Sequence, residues 1–237
     1  MPTLLILGSK PNPCLPARAQ YDALACANAS GYSAAQHGLP VPSYTVMTAV
    51  LTHRESGKQS LDALKGLETD ILYFLARGEK KRGLLKTIAY HLRTLDMKPF
   101  YLKWRLRAIR YKYNTFIDKG YRYCDELIRR LCDGDCRVVE QIEKKRPSTG
   151  IFTLAIGIAG QQYDRFIMSG FSFELTRPYA VNPEIFEVGT TTSRHADTDI
   201  AVLGYLSRKY GNIYTTEEIV HKRTGVPMLT ERLKAQG

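Results

Sequence analysis

The chain has 237 residues, of which 44% are hydrophobic and 24% charged. That is enough apolar material for a sizeable core, and no apolar run approaches the roughly 18 residues of a membrane-crossing helix. The formal charge of +11 is local, because residues 77–130 carry 16 Lys and Arg against 5 Asp and Glu while the remainder balances at 18 and 18. A uniformly basic chain would point to nucleic acid; a neutral body with one basic segment points to a docking element on an ordinary enzyme.

The opening Met-Pro-Thr-Leu-Leu-Ile-Leu has neither a basic leader nor a small-residue cleavage site, and it reads as a first strand over residues 3–7. The loop that follows, Gly8, Ser9, Lys10, Pro11 and Asn12, exposes backbone amides of the kind that suit a phosphate or nucleotide. Further strands are expected over residues 21–27, 44–51 and 70–75, with a polar helical stretch at Leu61, Leu64 and Leu67 between the last two. Apolar strands separated by helices predict an α/β fold: a single Rossmann-like domain over residues 1–237, with a mostly parallel sheet and helices on both faces. Ligands in such sheets sit at the carboxyl ends of the strands, where Gly8 to Asn12, Asn28 and His53 fall.

Residues 77–131 interrupt the pattern. Leu84, Leu85, Ile88, Leu92 and Leu95 recur at helical intervals, and aromatic and aliphatic residues from Tyr101 to Ile117 do so less regularly, with Lys and Arg between them. The reading is a basic helical insertion of two or three amphipathic helices, with Pro99 as a boundary. A solvated basic face, an anionic membrane surface and a nucleic acid compete as explanations; Trp and Tyr favour the membrane interface, and no nucleic-acid module accompanies the charge.

Composition changes sharply at Arg146. Ser148 can cap a helix whose body, residues 151–159, is apolar on all sides and therefore buried. Its amino end, Ser148, Thr149 and Gly150, presents free amides and the positive end of a dipole, with Arg146 beside it as a bidentate donor. A core strand over residues 165–169 leads to Gly170, Phe171, Ser172, Phe173 and Glu174; a polar loop holding Tyr179, lid-like over residues 176–192, leads to His195 at the head of a helix reaching Tyr210. Asp197-Thr198-Asp199 and Asp133-Gly134-Asp135 match the D-x-D pattern of metal-dependent sugar transferases, but the first opens a helix and the second sits in a turn, where Asp is expected for local reasons. A last short strand is expected over residues 212–214, then a helix from Glu217. The five cysteines, Cys14, Cys26, Cys124, Cys132 and Cys136, follow no disulfide framework or common zinc spacing and read as free thiols in a reducing compartment.

Laid out in order, these residues resemble the single-domain bacterial sialyltransferases of glycosyltransferase family 42 and, more distantly, the Kdo transferases. The resemblance rests on Gly8-Ser9-Lys10-Pro11, the Cys26-Ala27-Asn28 step, Arg146-Pro147-Ser148-Thr149-Gly150, Ser169-Gly170-Phe171, and His195 through Ile200. It is best over residues 146–210 and faint over the first 76. It implies that Gly8 to Asn12, Asn28, Gly170 and Ser172 surround a cytidine monophosphate, that Ser148, Thr149 and Gly150 face the phosphate or the sugar carboxylate, and that Arg146 and His53 lie on the acceptor side. His195 would be the general base and Tyr179 would hydrogen-bond the departing phosphate. Two positions depart from the pattern: Glu174 stands where a second phosphate-binding Tyr is expected, and His53 where an Asn is expected. Glu174 as a nucleophile would give a retaining course.

The resemblance implies a CMP-activated sugar acid as donor, a glycan or glycolipid acceptor, and neither a cofactor nor a metal. The expected setting is cytoplasmic, peripheral on the inner face of the membrane through residues 77–131, with no nucleic acid and with a homo-oligomer as an open state. Two readings outside this class are a metal-dependent phosphate hydrolase or transferase and a basic adaptor without catalysis.

Overall fold

The computed structural model describes residues 1–10, 12–53, 55–76, 92, 94–174 and 192–229. Among them, seven strands form one wholly parallel sheet: β1 (Thr3–Leu7), β2 (Ala23–Ala27), β3 (Tyr44–Thr48), β4 (Glu68–Ala76), β5 (Lys112–Gly120), β6 (Arg165–Ser169) and β7 (Ile213–Thr215), in the order β5-β4-β3-β2-β1-β6-β7. The helices are α1 (Gly31–Gln36), α2 (Val50–His53), α3 (Glu55–Asp62), α4 (Pro99–Ala108), α5 (Tyr121–Leu131), α6 (Cys136–Lys144), α7 (Thr149–Gly160), α8 (Ala196–Tyr210) and α9 (Glu218–Thr224).

Alternation along β1 shows why both faces are covered. Leu4 and Ile6 enter one core with α5, α6, α7 and α8, whereas Leu5 and Leu7 enter another with Leu24, Cys26 and Ile167. All four are fully buried, so the strand reads as a continuous apolar run. A third cluster seats Leu102 and Leu106 of α4 against Met47, Leu72 and Phe74. Helix α7 lies over the centre of the sheet and is buried from Gly150 to Ile158. Gly157 permits this approach, since a Cβ there would stand 2.8 Å from the Tyr44 hydroxyl and 2.9 Å from Leu4.

The α/β fold is as the apolar runs predict, and the departures are local. Residues 112–120 form the edge strand β5, paired in parallel with β4 from Glu68↔Lys112 to Ala76↔Gly120, where helix was expected. The 113, 116, 117 spacing imitates a helical face, but Tyr, Thr, Phe and Ile fit a pleated surface, and β4 supplies the partner. The basic segment therefore completes the sheet as well as carrying helices. Strand β3 stops at Thr48 and α2 begins at Val50, inside the range expected to be extended. Of the helix expected over residues 84–95, residues 84–91 and 93 lie outside the described residues, and Leu95 begins a short 3-10 turn, Leu95–Met97.

Strand order also fixes where a ligand belongs. Successive strands run outward from β1 to β5, and the chain then returns to place β6 on the other side of β1. The sheet's switch point lies between β1 and β6, and the crevice at such a point opens at the carboxyl ends of the two strands.

Candidate active site

Gly8 and Gly170 follow β1 and β6 directly, at this crevice. Gly8 N donates to Ser169 O (2.8 Å) and Lys10 N to Gly170 O (2.9 Å). A Cβ on Gly8 would fall 2.3 Å from the Gly170 carbonyl oxygen, and Gly170 itself has φ +76°. Only glycine lets the two backbones touch here. The amino end of α7 closes the third side, where a Cβ on Gly150 would lie 2.2 Å from the Phe171 ring. Asn28, at φ 55°, joins the fourth: its Nδ2 donates to Thr149 Oγ1 (3.0 Å), and its Oδ1 accepts from Thr48 N (3.2 Å). The loops after β1, β2 and β6 and the start of α7 thus form one connected wall.

The first turn of α8 clasps the segment leading into α7. Thr198 Oγ1 donates to Lys145 O (2.8 Å), His195 Nδ1 to Arg146 O (2.7 Å), and Ser148 N to Asp199 Oδ1 (2.7 Å). His195 is therefore tied to the same segment that supplies Ser148, Thr149 and Gly150. Its ring keeps Nε2 as the nitrogen not used by this bond. Burial holds the imidazole below its ordinary 6.5, opposed by the Arg146 carbonyl and helped by the nearby Lys145 and Arg194 charges. It is neutral at pH 7 and able to accept a proton.

At the amino end of α7 the amide of Ser148 is taken by Asp199. The amides of Thr149, Gly150 and Ile151 precede the first helical bond, from Phe152 N to Ser148 O (3.2 Å), and point into the region of positive dipole potential. Ser148 occupies the cap position without a side-chain cap bond.

With this wall and the seven-stranded order in view, the likeness is unambiguous. The fold is that of the sialyltransferases CstII and Cst-I of Campylobacter jejuni. CstII in complex with the substrate analogue CMP-3FNeuAc superposes with a TM-score of 0.55 at 14% identity, covering 96% of this chain and 86% of that one. A CST-II complex with a trisaccharide acceptor and CMP gives 0.53 at 14% identity over 94% and 85%. Monofunctional α-2,3-sialyltransferase Cst-I gives 0.52 at 14% identity over 96% and 81%. No protein-family model matches the sequence, and no curated protein matches it.

On this sialyltransferase fold the expected site residues divide. Gly8, Asn28, Thr149, Gly150 and Gly170 form the wall, with His195 and Ser148 bound to it through residues 145–148. Ser9 and Asn12 belong to the loop after β1, with Asn12 exposed. Lys10 turns its ammonium to Glu217 Oε2. Ser172 is buried and its Oγ accepts from Glu174 N (3.3 Å). Glu174 is exposed and forms an antiparallel bridge with Thr192, three residues before His195 in the chain. Tyr179 and Pro11 lie outside the described residues. The Arg146 guanidinium is engaged on the α5 side, with Nε 2.9 Å from Asp125 Oδ2 and its carbon 5.0 Å from the Tyr121 ring centroid. His53 pairs with Asp96 (3.0 Å), a surface contact between α2 and the 95–97 turn.

Both D-x-D motifs have local duties. Asp135 caps α6 through Arg137 N (3.0 Å) and Val138 N (3.2 Å), and Asp133 binds Lys209 Nζ (2.7 Å). Asp199 is buried on Ser148 N rather than capping its own helix. The residue the sequence concealed is Glu217. It is 1% exposed, and besides Lys10 its carboxylate accepts from Cys14 N (2.9 Å) and Gly170 N (2.9 Å), binding the loop after β1 to the end of β6. At the head of a short polar helix, nothing in its neighbours announced that role.

Among the described residues no helix is long and apolar enough to cross a membrane. All five cysteines are free, as their spacing predicts.

Proposed function

We propose that the protein transfers a 2-keto-3-deoxy sugar acid from its CMP donor to a glycan or glycolipid acceptor, with sialic acid as the first donor to test and Kdo as the second. The observation that carries the reading is the joining of His195 to the amino end of α7, beside the Gly8–Gly170 crevice of a sialyltransferase fold. The cytidylate lies along Gly8, Ser9, Asn12, Asn28 and Gly170, and the amides of Thr149 and Gly150 meet its phosphate or the sugar carboxylate.

In the reaction the acceptor hydroxyl oxygen attacks the anomeric carbon while the bond from that carbon to the phosphate oxygen breaks. The electron pair leaves with CMP, and the hydroxyl proton passes to Nε2 of His195. Inversion follows from this single displacement. A monophosphate leaving group carries less charge than a diphosphate, so hydrogen bonds from helix amides and Tyr179 serve in place of a metal. Peripheral contact with an anionic membrane, bringing the enzyme to a glycolipid, is part of the same proposal.

The test is release of CMP from CMP-sialic acid and, separately, CMP-Kdo, with EDTA present throughout. Turnover of either identifies the donor. Hydrolysis or transfer only when Mg²⁺ is restored, and lost in Asp197 or Asp199 variants, would replace the proposal with the metal-dependent phosphate reading.

A further inference from the structure

The basic segment carries a surface that the transferase site does not use. Leu102 and Leu106 turn one face of α4 into the core. The opposite face presents Phe100, Lys103, Trp104 and Arg107, spaced as i, i+3, i+4 and i+7. Phe100 is 57% and Trp104 58% exposed, a large apolar area to leave in water. As the chain turns from α4 into β5, an open groove of about 790 Å³ forms, lined by Lys103, Trp104, Arg107, Arg110, Lys112 and Tyr113.

The charges here are unspent. Arg105, on the flank of α4, is paired with Asp62 (2.7 Å). Among the described residues, Lys103, Arg107, Arg110 and Lys112 have no carboxylate at ion-pair distance. The Lys103 ammonium rests 4.2 Å from the Phe116 ring centroid and feels Asp118 only through space. Four cations and two protruding aromatic rings therefore share one edge of the molecule, beside edge strand β5.

We propose that this α4–β5 face docks the protein onto an anionic phospholipid bilayer, with Phe100 and Trp104 entering the interfacial layer and Lys103, Arg107, Arg110 and Lys112 meeting headgroup phosphates. The inference rests on the membrane part of the proposed function and not on its chemistry. Charge complementarity selects the partner, and the aromatic pair selects its form. An indole and a phenyl ring beside cations suit the headgroup boundary. The groove is too open to enclose a small ligand. The 47% exposed Leu95 can neither hydrogen-bond to a base nor stack on one, which favours a bilayer over a nucleic acid.

Trp104 is the only tryptophan in the chain, so its fluorescence reports on this face alone. Full-length protein is titrated with phosphatidylcholine vesicles and with vesicles containing about 30% phosphatidylglycerol. Anionic vesicles are expected to shift the Trp104 emission to the blue and carry the protein down on centrifugation, whereas neutral vesicles do neither. The double substitution Arg107→Glu, Arg110→Glu should weaken partitioning about 25-fold or more, following the roughly fivefold effect expected of each basic residue at a charged surface. CMP release from a water-soluble acceptor assay should be unchanged. Absence of the shift with anionic vesicles, or an equal response to neutral ones, overturns the proposal. So does a single-stranded RNA oligonucleotide that displaces the protein from vesicles and quenches Trp104 at lower concentration. Vesicle binding without any CMP release would leave this face standing and remove the transferase chemistry.

Discussion

His195 Nδ1 and the carbonyl oxygen of Arg146 lie 2.7 Å apart, and since a carbonyl only accepts, the ring proton is on Nδ1 and the free lone pair on Nε2. The backbone of residue 146, not its side chain, thus sets the tautomer of the ring. His195→Ala should lower CMP release about 10²- to 10⁴-fold, the usual contribution of a general base, with CMP affinity by calorimetry unchanged. Burial lowers the His195 pKa from 6.5, so activity should fall on the acid side through a midpoint below that value. The same shift lowers stability as pH falls, because the unfolded chain takes up this proton first. Near wild-type turnover in the Ala variant would remove His195 from the mechanism.

Gly150 and Phe171 make the second prediction. A Cβ on Gly150 would overlap the Phe171 ring at 2.2 Å, so Gly150→Ala must displace the ring or the start of α7. The expected cost is about 1–3 kcal/mol in urea denaturation, with CMP affinity reduced in step. Adding Phe171→Ala should restore CMP affinity to the level of Phe171→Ala alone, since an aromatic side chain, unlike backbone, can be removed. Gly8→Ala meets the Gly170 carbonyl at 2.3 Å and has no such rescue. Additive losses in the Gly150, Phe171 pair would show that the wall does not close as described.

The wall was legible because its parts obey local rules. Gly8 and Gly170 end apolar runs, Ser148 precedes one, and His195 heads a helix, so each stood out against its neighbours. The clasp between α8 and residues 145–148 was not legible. Thr198 and Asp199 looked like ordinary first-turn residues, and only the packing of α8 beside α7 turns them toward Lys145 O and Ser148 N. Strand β5 was missed for a related reason: an edge strand half covered on both faces has no clean period of two, and its parallel partner lies more than 40 residues away along the chain. Glu217 escaped because what defines it is a set of bonds from Lys10, Cys14 and Gly170, none near it in sequence.

Glu217 gives a third prediction. Removing its carboxylate leaves the amides of Cys14 and Gly170 without their acceptor and Lys10 without its partner. Glu217→Ala should destabilise by about 3 kcal/mol or more, the range for buried groups left unpaired, and weaken CMP binding. Glu217→Gln keeps one oxygen for the two amides and should recover most of the stability but not the Lys10 contact. Equal losses in the two variants would mean that the charge, not the amide acceptor, holds the loop.

Asp199 supplies the last prediction, and its sign follows from burial. Desolvation raises its pKa from 3.8 to about 7, against the opposing bonds from Ser148. Between those values the native state holds a proton that the unfolded chain has released, so stability falls as pH rises through this window. Asp199→Asn keeps an oxygen for Ser148 N and carries no charge at any pH. Its melting temperature should match wild type near pH 4, gain on it as pH rises, and level off above about pH 7, where the buried anion is fully formed. Turnover should stay within a few-fold of wild type, because the clasp on residues 145–148 survives. Asp199→Ala removes the acceptor for Ser148 N, and there turnover should drop with little change in CMP affinity, as expected of a positioning residue. A melting difference that stays flat or narrows with rising pH would mean that the amino end of α7 stabilises the ionised carboxylate, reversing the sign argued here.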